Sequence, residues 1–154
     1  MSRPIAVITD IHGNVPALEA ALDRIEELDV DEAYCGGDLV GYGPRPNEIC
    51  RTCSRSGPQH VRTDRTGRRL RHPPLRPYAQ TLGPRVRRRP FRQLRLGGKP
   101  KDGDPRGSFA LLEEQDGDVN VSIERVAYDA QAVATEIRNA GLPYELADQL
   151  VRAE

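Results

Sequence analysis

The run Ile5-Ala6-Val7-Ile8-Thr9, followed at once by Asp10-Ile11-His12-Gly13-Asn14, restricts this chain more than any other feature. A short β-branched apolar run that stops at polar turn residues reads as a buried strand. From Val15 to Leu28 the apolar residues Leu18, Ala21, Leu22, Ile25 and Leu28 recur at helical spacing, with Asn14 placed to cap the first turn. Glu32-Ala33-Tyr34-Cys35 then reads as a second strand that ends at Gly36-Gly37-Asp38. Strand, helix and strand make a βαβ unit, and both polar segments fall at carboxyl ends of strands, where open α/β sheets keep their sites. Asp10, His12 and Asp38 can then reach one point in space. Two carboxylates and an imidazole suit hard or borderline divalent metals. Each residue also has an ordinary structural use, Asp10 as a helix cap and Gly36-Gly37 for tight backbone geometry. Those uses explain the residues singly and not their joint occurrence.

Asp10-Ile11-His12-Gly13-Asn14, taken with Cys35-Gly36-Gly37-Asp38-Leu39-Val40-Gly41-Tyr42-Gly43-Pro44 and Pro46-Asn47-Glu48, resembles the calcineurin-like metallophosphoesterases. The likeness is closest to their small prokaryotic phosphodiesterase branch. A bare Asp-x-His is common, whereas Asp-x-His-Gly-Asn with Gly-Gly-Asp at this spacing is specific. The resemblance implies an α/β fold, a sandwich of two sheets between helices in the order α/β/β/α. It also implies hydrolysis of a phosphodiester or phosphomonoester by a metal-activated water, with Mn2+ as the expected ion and Fe, Zn, Ni or Mg as alternatives. By that likeness Asp10 and His12 hold one ion, and Asp38 bridges to a second about 3.5–4 Å away.

The family's second-ion set is a Gly-Asn-His-Asp/Glu motif, a further lone histidine and a Gly-His-x-His motif. The asparagines of this chain are Asn14, Asn47, Asn120 and Asn139, none followed by histidine, and its histidines are His12, His60 and His72. Around His72, Arg71-His72-Pro73-Pro74-Leu75-Arg76-Pro77-Tyr78 is faintly similar to the last motif and keeps one histidine. The expectation is therefore an incomplete sandwich that binds one ion, with little or no hydrolysis and no assigned catalytic residue beyond the ligands.

Charge divides the chain in three. Residues 1–50 balance at −7, residues 97–154 at −6, and residues 51–96 at +13, with fourteen arginines, no lysine and Asp64 as the one acid. Six prolines and scant apolar periodicity accompany the arginines, so no strand or helix is expected between 51 and 96 and the segment reads as disordered. One reading is a nucleic-acid-binding insert, since clustered arginine neutralises phosphates, although only Tyr78 and Phe91 are there to stack on bases. Another is a zinc clip of Cys50, Cys53, His60 and His72, whose histidines are spaced too widely for a finger. The favoured reading is a loss of reading frame. Arginine, proline, serine and glycine without lysine are what a GC-rich gene yields out of frame. Arg92-Gln93-Leu94-Arg95-Leu96 can be encoded by CGT-CAA-CTC-CGG-CTC, whose shifted frame gives Val-Asn-Ser-Gly-Ser. The family places an Asn-x-Gly-Ser turn just before a stretch like Gly98-Lys99-Pro100-Lys101-Asp102-Gly103-Asp104-Pro105-Arg106.

Resemblance resumes there. Ser108 to Leu112 reads as a strand, Gln115-Asp116-Gly117-Asp118 as a hairpin turn, and Val119 to Val126 as the return with Val119, Val121 and Ile123 on one face. Asp129 caps a helix from Ala130 to Asn139, Gly141 ends it, and Pro143 opens a last helix with Leu146 and Leu150 facing inward. Asp102 and Asp104 belong to a solvated turn. The N-terminal βαβ unit (1–50) and the C-terminal strands and helices (97–154) are read as parts of one domain, joined only through strands that fall in 51–96. Three cysteines without a signal-peptide pattern point to reduced thiols, and with no long apolar stretch the expected location is the cytoplasm.

Overall fold

Side-chain alternation along β1 (Ile5–Ile8) sets the layering. Ala6 and Ile8 point to one face of the sheet, Ile5 and Val7 to the other, and both faces are packed. A strand apolar on both sides belongs in the middle of a sheet, and β1 is there. A computed structural model describes residues 4–30, 32–54, 61–63, 69–71, 75–77, 95–97, 101–115 and 118–154. β1 pairs in parallel with β2 (Glu32–Cys35) on one side and antiparallel with β6 (Gly107–Gln115) on the other. β5 (Leu75–Pro77) extends the sheet beyond β2, and β7 (Asp118–Val126) closes it beyond β6, giving the order β5-β2-β1-β6-β7. β3 (Val61–Thr63) and β4 (Arg69–Arg71) form a separate two-stranded sheet.

The register keeps like faces together. Ala6 lies opposite Ala33 and Leu111, and Val7 lies opposite Tyr34 and Ala110. The Ala6 face joins the larger core with Phe109, Leu111 and the buried side of α1 (Val15–Glu27). The Val7 face forms a second cluster with Tyr34, Ala110 and Leu112. A slip of one residue would exchange the two sets.

Several local expectations hold. Asn14 Oδ1 accepts the Ala17 N–H at 3.1 Å, capping α1. The helix ends in a Schellman pair, Val30 N–H to Ile25 O and Asp29 N–H to Glu26 O, with Asp29 at φ 52°. The same device closes α3 (Ala130–Asn139), where Gly141 takes the left-handed position at φ 71° and Asp129 caps the start. α4 (Tyr144–Arg152) buries Ala147 and Leu150 against α3, with Leu146 packed alongside. α2 (Pro46–Ser54) buries Ile49 in the main core.

Three expectations need correction. The βαβ unit and the C-terminal hairpin do not depend on intervening strands to meet, because β6 pairs with β1 directly. Residues 51–96 contain β3, β4, β5 and the end of α2, although no strand or helix is expected there. Strand pairing is supplied by a neighbour, so proline and arginine in a short edge segment do not forbid it. Along β7, Val121 packs on the second cluster, but Val119 and Ile123 are exposed. As the last strand of the sheet, β7 has less to pack against.

Residues 95–97 return beside the end of β1. Leu96 N–H donates to Thr9 O at 3.1 Å, Gly97 N–H donates to Asp10 O at 2.9 Å, and the Leu96 side chain is buried in the main core. Core packing thus extends into the segment read as anomalous, through Leu96 and the half-buried Cys53. Glycine is obligatory at two crossings over the turn after β1. A Cβ on Gly43 would sit 2.1 Å from His12 O, and one on Gly97 would sit 2.3 Å from Ile11 O. In both cases the obstacle is backbone, which cannot swing aside. Gly43→Ala is expected to lower unfolding stability by about 2–4 kcal/mol, read from the urea midpoint. A change within about 0.5 kcal/mol would show that this crossing is not closed.

Candidate metal centre

The turn after β1 and the turn after β2 are bonded to each other through their backbones. His12 N–H donates to Asp38 O at 2.9 Å and Gly13 N–H to Leu39 O at 2.8 Å. Gly43 N–H returns to His12 O at 2.6 Å, and Arg45 N–H donates to Gly13 O at 3.2 Å. These bonds bring the two strand ends into one surface patch. They also fix unusual backbone angles. Asp10, His12 and Asp38 all lie in the left-handed region, at φ 55°, 49° and 50°. The other non-glycine residues there among those described are Asp29 and Ala153, both at helix ends. Left-handed geometry costs on the order of 1–3 kcal/mol for each such residue. Asp tolerates it better than His. Such strain persists where surrounding contacts over-determine it, and here it falls on the three residues singled out by the sequence.

One ligand atom from each of Asp10, His12 and Asp38 lies within 4.8 Å of the other two. His12 Nδ1 is 3.0 Å from Val40 O, so its proton belongs on that nitrogen in the neutral ring. This leaves Nε2 as the lone-pair atom, 3.5 Å from Asp10 Oδ1. A histidine tied through one nitrogen to a backbone carbonyl, with the other turned toward carboxylates, is the arrangement that orients imidazole for a metal. Asp10 is half-buried and takes a further bond from Thr9 Oγ1 at 3.2 Å, whereas Asp38 is exposed. The donor set fits a divalent cation with affinity for both oxygen and imidazole, and the exposed carboxylate leaves a path for entry.

The electrostatics are those of a site that holds positive charge. The hydrogen bond from His12 is the main cause holding the Asp10 carboxyl below its usual value, helped by Thr9 and the nearby Arg95 and opposed by burial. Reciprocally, Asp10 raises His12 above 6.5, with the Val40 carbonyl and Asp38 adding to it and burial opposing. Without a cation, a proton on His12 does part of the same neutralising work.

Residues not foreseen as site components hold this turn in place. Asn14 is buried and does more than cap α1. Its Nδ2 approaches Gly97 O at 3.4 Å, and its side chain bonds Tyr128. Arg45 makes a two-pronged pair with Glu136 of α3, Nε to Oε2 at 2.9 Å and a terminal nitrogen to Oε1 at 2.6 Å. The loop that bonds Gly13 is thus clamped to the C-terminal helices. Tyr42 lays its ring at 56° to His12, with centroids 4.7 Å apart. An asparagine at a cap gives no hint of partners so distant in sequence, and neither does one arginine in a proline-flanked loop.

Other sequence candidates separate from the centre. Asp102 and Asp104 sit in an exposed turn. Asp104 is paired with Arg106 at 2.7 Å, which holds its carboxyl near about 2, and Asp102 is paired with Arg125. Of the suggested zinc clip, Cys50 is exposed and Cys53 is half-buried against the main core, while His60 and His72 lie outside the described residues. Most of the arginine-rich segment lies outside them as well.

Comparison with known proteins agrees with this geometry. Residues 3–63 match the family model for calcineurin-like phosphoesterase. An uncharacterized protein of Methanocaldococcus jannaschii, MJ0912, is 52% identical over 44 residues, which make up 29% of this chain and 18% of that protein. The matched stretch thus spans about a fifth of that relative. The crystal structure of a metallophosphoesterase from Sphaerobacter thermophilus superposes with a TM-score of 0.66 at 20% identity, covering 100% of both chains. That of the hypothetical protein PH1004 from Pyrococcus horikoshii OT3 gives 0.64 at 18% identity over 98% of both. At those identities the likeness establishes the fold alone. Residues 3–63 are thus similar to the calcineurin-like phosphoesterase family, and the chain shares the fold of the two solved structures.

Proposed function

We propose that Asp10, His12 and Asp38 hold a divalent cation, Mn2+ before Fe, Zn, Ni or Mg, and that the chain acts on phosphoesters through it. The convergence of three ligand atoms within 4.8 Å on strained, cross-bonded turns carries this reading. A cation held there supplies Lewis acidity toward water and toward a phosphoryl oxygen. The chain's own groups prepare the place. Val40 O keeps the imidazole in the tautomer that frees Nε2, and Arg45 with Glu136 steadies the loop that bonds Gly13. Asp10 and Asp38 attract the cation, and their charge repels an anionic ester until it is bound.

The described ligands suffice for one ion, and the sequence carries no recognisable second set. Loss of a general acid alone lowers rates by about 10²–10⁴, so the chain as written is placed well below the rates usual for enzymes. A cytoplasmic location accords with this chemistry. The +13 balance of residues 51–96 favours a second reading, nucleic-acid binding through that segment, whose signature is salt-sensitive association with arbitrary DNA.

Asp38→Asn is the cleanest test of the ligand set, since asparagine also tolerates the left-handed backbone. It is expected to weaken Mn2+ binding by at least about tenfold in calorimetry, while Asp104→Asn leaves binding unchanged. Equal affinity in both variants would remove Asp38 from the centre. Cation uptake should also depend on pH. Because His12 must lose its proton to bind, and Asp10 raises its pKa above 6.5 in the empty site, affinity should climb as pH rises through that value and then level off. An affinity flat from pH 5 to 8 would be inconsistent with imidazole ligation. With a chromogenic bis-aryl phosphate and added Mn2+, turnover is expected below the ordinary range of about 1–10³ s⁻¹. Rates inside that range would mean that a complete catalytic set is present.

A further inference from the structure

Past Asp38, the segment Val40-Gly41-Tyr42 runs along the Nδ1 side of the His12 ring. Val40 O is 3.0 Å from Nδ1, and a Cβ on Gly41 would stand 2.8 Å from the same atom. Glycine, here at φ 145°, is what lets the backbone come so close. The Tyr42 ring meets the imidazole at 56°, with centroids 4.7 Å apart. Val40 and Tyr42 nevertheless stay 49% and 41% exposed. The other large apolar residues exposed among those described, Val119, Ile123 and Tyr144, stand on β7 and α4. We propose that Tyr42, together with Val40, selects the substrate by giving a shelf to a flat aromatic group carried on the phosphoester. This rests on the phosphoester reading above and adds a substrate class to it.

The cluster itself offers such a group nothing to pack on. Asp10 and Asp38 are acidic, and Thr9 and Arg95 stand near Asp10. An ester held there by its phosphoryl oxygens needs another place for its organic part. Tyr42 supplies one, because its ring lies against His12, a member of the cluster. Flat rings attract an aromatic side chain by offset or edge-to-face stacking, with little regard to what the rings carry. A methyl group has too little area to gain as much.

The shelf is fixed before anything binds. Gly13 N–H holds Leu39 O and the His12 ring holds Val40 O on one side of Tyr42 in the chain, and Gly43 N–H holds His12 O on the other. A side chain carried between such ties loses little freedom on binding, so most of the stacking affinity reaches the ligand. His12 keeps Nε2 toward Asp10. The same imidazole can therefore meet a cation with one nitrogen while its ring leans on Tyr42.

Calorimetric titration of the full chain with Mn2+, then with phenylphosphonate or methylphosphonate, reads the shelf without turnover. Phenylphosphonate is expected to bind about tenfold tighter than methylphosphonate. Tyr42→Ala should bring the two within about twofold and leave Mn2+ affinity as in the wild type, while Tyr42→Phe keeps the preference. Adenosine 5′-phosphate against ribose 5-phosphate repeats the comparison with a nucleobase. The same preference there extends the class to nucleoside esters, and a preference confined to the phenyl pair narrows it to small aryl esters. Equal affinity for both members of both pairs, in a chain that takes up Mn2+, overturns the shelf and leaves the phosphoester reading standing. Loss of Mn2+ and of both phosphonates alike in Tyr42→Ala would make Tyr42 a support of His12 and overturn it too. No Mn2+ uptake by the wild type removes the phosphoester reading and the shelf with it. The wild-type comparison decides the matter even where Tyr42→Ala fails to fold.

Discussion

The backbone bonds between the turn after β1 and the turn after β2 are the constraint on which the rest of the site depends. His12 N–H to Asp38 O and Gly13 N–H to Leu39 O bring two strand ends together, and Gly43 N–H to His12 O closes the contact from the far side. Alongside those bonds Asp10, His12 and Asp38 sit in left-handed backbone. The bonds also require a glycine wherever one segment passes over another. An isolated turn of this sequence would relax to ordinary angles, because each strained residue costs on the order of 1–3 kcal/mol with nothing in return. In the folded chain the cost is met by burial of the strands beneath, Ala6, Ile8, Ala33 and Phe109 among them, and Asp10, His12 and Asp38 inherit a fixed geometry.

Placement of β1 at the centre of the sheet makes that support possible. With β2 on one side and β6 on the other, its short apolar run is covered at both edges, and the C-terminal strands become neighbours of the N-terminal site. Arg45 with Glu136 and Asn14 with Tyr128 then connect the site turns to the part of the chain that follows the sheet. Among the described residues the C-terminal segment adds no group to the Asp10, His12 and Asp38 cluster, yet it holds the loops that carry it. A cation held between two such turns would contribute further by offsetting the repulsion between Asp10 and Asp38, a task that a proton on His12 performs in part when none is bound.

The local elements were legible from the sequence, and so was the grouping of Asp10, His12 and Asp38. The 2.0 and 3.6 periodicities gave β1, α1, β2, β7 and α3 nearly to the residue, while β6, read as Ser108 to Leu112, runs on to Gln115. Asp10, His12 and Asp38 were legible because a βαβ unit admits few arrangements of its strand ends. What only the tertiary structure decided involves partners far apart in the chain. These are the direct pairing of β1 with β6, the burial of Leu96 and Gly97 against the site turn, the clamp from Arg45 to Glu136, and the short strands within residues 51–96. No window of sequence carries that information, because the favourable free energy of each contact comes from a surface that exists only once the chain has folded.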